Sequence, residues 1–144
     1  MTIRDRIIEE ALTWQRTPWH HRACIKGVGV DCVFFVIGVY NALGITKIAN
    51  GELPQYPADI MMHRNEETVL DGIARYAHEV AVPQKGDVAL WKFGRIFSHA
   101  AIVIDLPTII HAHRASRMVT LDDASQGDFS RREVRYFSFF GAVE

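Results

Sequence analysis

Apolar residues recur at helical spacing near the start of the chain: Ile3, Ile7, Ile8, Ala11 and Leu12. That spacing predicts a first helix over 2–14, with Thr2 and Asp5 placed as a capping pair. Between 16 and 31 the period vanishes and Pro18, Gly27 and Gly29 intervene, so this stretch reads as a loop. From 32 to 43 the chain is apolar nearly all round, which predicts a helix buried on every side and stopped at Gly44. Residues 45–57, with Gly51, Pro54 and Pro57, read as a loop, and 66–77 as a helix with Val69, Leu70, Ile73 and Tyr76 on one side. After Pro83 the texture changes. Runs at 87–93, 99–105, 108–112, 118–121 and 133–139 are short, rich in β-branched or aromatic residues, and separated by turn residues. Helices first and strands later predict an α+β fold, with N-terminal helices on one face of a small antiparallel sheet.

Composition narrows the function. A length of 144 residues suits one domain, 1–144. Sixteen Lys and Arg against 17 Asp and Glu leave a net charge of −1, which gives no bulk field to attract nucleic acid. Two cysteines exclude a disulfide-rich scaffold. The charged stretch 1–10 lacks the apolar core of a signal peptide, and the longest apolar run, 32–40, is far short of the roughly 20 residues that span a bilayer. The expectation is synthesis in the cytoplasm and no membrane insertion.

The seven histidines and two cysteines hold the candidate chemistry. Cys32 follows a glycine-containing loop and opens an apolar helix, where the helix dipole favours thiolate. The rival reading is a small buried hydrophobe. His99 starts a predicted strand, and His111 lies on the next one, across a turn at Asp105, Leu106 and Pro107. A thiol nucleophile needs a base, and the base needs a third group to orient it. Cys32, His99 and His111 fill those roles if the strands pack on the Cys32 helix. His113 shares a strand face with His111 and competes for the third role.

Asp31-Cys32, Gly86-Asp87-Val88-Ala89, Ser98-His99-Ala100-Ala101-Ile102-Val103 and Ile109-Ile110-His111-Ala112, in that order, resemble the NlpC-type cysteine peptidases of bacterial cell walls. Thr17-Pro18-Trp19 resembles that family's Thr-Pro-Tyr segment, and the long loop 17–29 looks closest to the branch carried by tailed phages and gene transfer agents. The resemblance implies a papain-like fold with the catalytic Cys at a helix N-terminus and no cofactor. It also implies hydrolysis of peptidoglycan stem peptides, typically from D-glutamate to diaminopimelate. Cys32 would be nucleophile, His99 base and His111 the orienting residue. Asp31 would fix the loop before the helix, and Trp19 would sit near the oxyanion with His20 and His113 in the vicinity. A tail tip or baseplate would deliver the enzyme, so the virion is its implied place and the periplasm or wall its site of action. Two positions depart from the pattern: Trp19 stands where the family has Tyr, and Val33-Phe34 where it has Ser-Gly.

Other features read more plainly. Cys24 reads as structural or loop-exposed. Zinc-type spacing is lacking, so no metal site is expected. His63 and His78 read as solvent-facing, the cluster Arg114, Arg117, Arg131, Arg132 and Arg135 as a solvated face, and 136–140 as a final core strand. The rival functions are a tail-assembly component of the same fold that lost activity, and an amidase or acyltransferase using the same Cys–His pair.

Overall fold

The computed structural model describes residues 1–48 and 68–139. The expectations for His63, Phe140 and most of 45–57 fall outside that range. Helix α1 spans Ile3–Leu12 and starts with a capping box: Thr2 Oγ1 accepts from the Asp5 N–H while the Asp5 carboxylate accepts from the Thr2 N–H. The stretch 16–31, read as pure loop, contains a two-stranded ribbon of β1 (Cys24–Ile25) and β2 (Gly29–Val30), turned at Gly27 with φ +80°. Helix α2 spans Cys32–Ala42 and buries every residue from Val33 to Tyr40; Gly44 follows at φ +73°, a conformation that costs glycine little. Helix α3 (Thr68–Ala74) ends before the expected position 77, because Ala77 already belongs to a strand.

Six strands form one sheet: β3 (Ala77–Val80), β4 (Val88–Phe93), β5 (Ile96–Asp105), β6 (Thr108–His113), β7 (Met118–Asp123) and β8 (Val134–Phe139), in the order β3-β8-β4-β5-β6-β7. All its pairings are antiparallel. Strand β3 was missed in the sequence because His78 and Glu79 are both exposed and break the apolar alternation. The C-terminal aromatic run lies inside the sheet, where Phe139 stacks on Tyr40 of α2 at 4.1 Å.

Two cores result. The larger, on the helix side, joins Ile7, Trp14, Phe35 and Tyr40 to Leu90, Ile102, Ile110 and Phe137. The smaller joins Ala89, Trp91, Ala101, Val103 and Ile109 to Phe129, which a 3₁₀ turn (Gly127–Arg131) supplies. The basic cluster is not one solvated face. Arg135 grips Glu79 with two hydrogen bonds, Arg132 covers the Phe93 ring at 4.0 Å, and Arg114 covers Trp19 at 5.2 Å. Each of these three guanidinium groups finds an aromatic face or a carboxylate that the linear sequence does not show, while Arg117 and Arg131 are exposed.

The Gly86-Asp87 segment ties the helices to the sheet. Asp87 is 1% exposed and binds Arg4 of α1 at 2.6 Å, the Ser138 hydroxyl at 2.6 Å and the Gln84 N–H at 2.7 Å. Tyr40 donates to the Gly86 carbonyl. Removing one partner of a buried ion pair leaves the other charge without compensation. Asp87→Ala is therefore expected to cost about 3–5 kcal/mol, measured by urea unfolding. A loss below about 1 kcal/mol would show that Arg4 finds water instead.

Candidate active site

Cys32 is the first residue of α2, and Asp31 is its N-cap. The buried Asp31 carboxylate accepts from the Phe34 N–H at 2.9 Å and the Arg22 N–H at 2.8 Å, which pins the preceding loop to the helix start.

The half-buried Cys32 thiol lies 3.7 Å from the Ser98 carbonyl, to which it donates, and the backbone N–H of Ala100 also points at the sulfur. Both groups belong to β5, either side of His99. Their availability follows from the register. Val103 pairs its N–H and C=O with Asp87 and Gly86, so alternation turns the Ala100 N–H toward β6. The β5–β6 pairing runs from Asp105↔Thr108 only as far as Ile102↔Ile110. Where the ladder stops, the thiol takes the backbone groups it leaves.

His99 and His111 face the smaller core, beside Phe129 at 5.4 Å from each ring. His99 Nε2 lies 2.8 Å from His111 Nδ1, and His111 Nε2 lies 3.1 Å from Asp122 Oδ2. A carboxylate only accepts, so His111 carries its proton on Nε2. Its Nδ1 then accepts from the Nε2–H of His99, which leaves the lone pair of His99 on Nδ1. Among the described residues no hydrogen bond joins that atom or any other part of the ring to the Cys32 thiol.

The charges run against the simple dipole expectation. Burial, then the Asp31 charge, pushes the Cys32 thiol up to about 12, although N–H groups of Ala100, Val33 and Cys32 itself favour the thiolate. The dipole is outweighed first by desolvation of the sulfur and then by the capping carboxylate, itself a nearby negative charge. Burial, then the neighbouring His111 and His113, holds His99 well below the ordinary imidazole range. His111 is lowered by burial and by His113, against the opposing pull of Asp122. The resting state is a neutral thiol and neutral imidazoles. Iodoacetamide labelling of Cys32, followed by peptide mass spectrometry, is expected to accelerate about tenfold per pH unit from pH 7 to 9. A rate already level below pH 8 would signal a preformed ion pair.

The remaining sequence candidates are placed as follows. His113 stacks on His111 at 4.7 Å with an interplanar angle of 10°, and its Nδ1 lies 2.9 Å from Ser116 Oγ. Trp19 is half-buried and bridges to Val30, the residue before Asp31. His20 is exposed, with Nδ1 3.2 Å from the His21 carbonyl. Phe34 is 2% exposed and is core, under the Arg22 guanidinium. Cys24 is free and half-buried on β1, where its thiol donates to the Phe34 carbonyl at 3.3 Å. Cys24 and the Trp14 ring occupy the space where a Cβ on Gly38 would sit.

Asp122 escaped the sequence reading. The strand expected over 118–121 stops two residues short of its end at Asp123. Its signal was the β6–β7 register, which pairs His111 with Thr120 and puts Asp122 on the diagonal of the same face.

The chain matches no family model and no curated protein. Solved structures do match. NlpC1 from Trichomonas vaginalis superposes with a TM-score of 0.70 at 13% identity, over 96% of this chain and 44% of that one. The NlpC/p60 domain of the peptidoglycan hydrolase SagA gives 0.61 at 17% identity, over 92% and 96%. The fold is that of NlpC/p60 domains. RipD from Mycobacterium tuberculosis, described as a non-catalytic NlpC/p60 domain adapted to peptidoglycan binding, gives 0.59 at 14% identity, over 96% and 98%. The NlpC/p60 fold thus occurs in a hydrolase and in a non-catalytic protein, and the choice for this chain rests on its own side chains.

Proposed function

We propose that residues 1–144 form a cysteine peptidase domain acting on peptidoglycan stem peptides. The observation that carries this reading is the chain of contacts His99–His111–Asp122, together with a thiol at the start of a buried helix that reaches the β5 backbone on either side of His99. In the forward step His99 Nδ1 takes the Cys32 proton as the sulfur attacks the amide carbonyl carbon. The new oxyanion draws on N–H groups at the start of α2, Cys32 among them. Collapse releases the amine, which takes the proton back from His99. Water, deprotonated by His99, then attacks the thioester carbonyl, and the departing Cys32 sulfur takes that proton back from His99. Because thiol and imidazole start neutral, proton transfer accompanies attack rather than preceding it.

Following the sequence resemblance, the bond is D-glutamyl to diaminopimelate, and a phage or gene-transfer-agent tail tip delivers the domain. The near-zero net charge means that a shaped cleft, with Trp19 and His20 near it, supplies wall specificity rather than bulk attraction. Purified muropeptides incubated with the protein are expected to yield fragments split at that bond, read by mass spectrometry. Absence of cleavage across several wall types would defeat the peptidase reading, and cleavage elsewhere would favour the amidase or acyltransferase form. Tail delivery predicts that the protein copurifies with particles; recovery only as free monomer would count against it.

One observation favours a second reading, a wall-binding or tail component without catalysis: the raised thiol, with no hydrogen bond to the His99 ring among the described residues. It predicts co-sedimentation with insoluble peptidoglycan and no released fragments.

A further inference from the structure

His111, His113 and Asp122 bring their ligand atoms within 4.8 Å of one another. Sequence spacing hid this group, because two ligands alternate on β6 and the third comes from β7. We propose that these three residues bind a borderline divalent transition ion of the Zn²⁺ type, which switches the Cys32–His99 pair off. Two imidazoles and one carboxylate, with a position left for water, suit zinc and its neighbours rather than the oxygen-seeking Mg²⁺ or Ca²⁺.

The geometry is close to what such an ion needs. Zinc–nitrogen and zinc–oxygen bonds of about 2.0–2.2 Å in a tetrahedron put two ligand atoms about 3.4 Å apart. His111 Nε2 and Asp122 Oδ2 are already 3.1 Å apart. The His113 ring, parallel to that of His111, is half-buried at the strand end, so rotation of one side chain closes the remaining gap. Its Nδ1 is engaged by Ser116, which leaves Nε2 for the ion. His99, at 2.8 Å from His111 Nδ1, is the outer partner that orients the ligating ring.

The consequence follows from counting protons. Without metal, His111 holds its proton on Nε2 and His99 has its lone pair on Nδ1. An ion on His111 Nε2 moves that ring's proton to Nδ1, which then donates to His99 Nε2. His99, still neutral, must carry its own proton on Nδ1. Both rings keep their charge, yet the base has lost the lone pair that would take the thiol proton. Binding is independent of the peptidase reading; the switch rests on it.

The test is therefore run first without activity. Zn²⁺ is titrated into the Cys32→Ala protein against a chromophoric chelator, and Co²⁺ is added to the native protein to record its visible spectrum. One ion per chain is expected, with a cobalt spectrum lacking thiolate charge transfer. Affinity should fall at least tenfold in His113→Ala and likewise in Asp122→Asn. Imidazole ¹⁵N NMR should show His111 passing from the Nε2–H to the Nδ1–H form as Zn²⁺ is added. Full affinity in both ligand variants, a thiolate band, or unchanged tautomers would overturn the site. If muropeptide cleavage is found, Zn²⁺ should suppress it in the native protein and much less in His113→Ala; equal suppression in both would overturn the switch while leaving the peptidase intact.

Discussion

Cys32→Ala is expected to abolish muropeptide cleavage, lowering kcat by about a thousandfold or more, because the thioester forms on its sulfur. The fold should survive. Cys32 is half-buried, its thiol donates only a long contact to the Ser98 carbonyl, and alanine keeps the helix start that Asp31 caps. The melting transition should therefore stay within about 1 kcal/mol of the native protein. Cleavage at the native rate would remove Cys32 from the mechanism, and with it the peptidase reading. Substituting Cys24 provides the contrast. Its thiol is pushed up to about 11 by burial and Asp31, and it packs against Gly38 and the Phe34 carbonyl. Cys24→Ser should affect stability more than turnover.

Asp122→Asn should lower kcat by about a hundredfold with KM little changed. An asparagine can turn its N–H₂ toward His111 Nε2, which reverses the direction of every proton in the relay. The acceptor-only carboxylate fixes that direction; the amide does not. A position more than a third exposed to water argues for a smaller effect than a fully buried carboxylate would give. Asp122→Glu, which keeps the acceptor, should restore part of the rate. Equal loss in Asp122→Glu and Asp122→Asn, or a change confined to KM, would mean that Asp122 only shapes the strand end.

Much of this was legible in the linear chain. The capping box of α1, the all-round apolar run of α2 and its stop at Gly44 are local events, decided by residues within one or two helical turns. The β-branched runs after Pro83 each became a strand, with ends moved by a few residues. Cys32, His99 and His111 could be singled out as types and positions, and the turn after Asp105 does bring the two histidines to 2.8 Å.

What lay beyond the sequence depends on pairing and on burial. Which strand face His99 takes, where the β5–β6 ladder opens to admit the thiol, and that β7 carries Asp122 to the end of the relay are set by register, and a one-residue change of register turns each side chain to the other face. The choice between thiolate and buried thiol, open in the sequence, is decided in the same way. The helix dipole is readable from position, but the desolvation that outweighs it exists only once α2 is packed against β5 and β6. The sequence alone determined α1 and α2, the five strands after Pro83 and the positions of Cys32, His99 and His111, because these follow from neighbours along the chain. Only the tertiary structure decided their proton direction, their charge state and the grouping of His111, His113 and Asp122, because each needs residues from different strands to meet in one low-dielectric place.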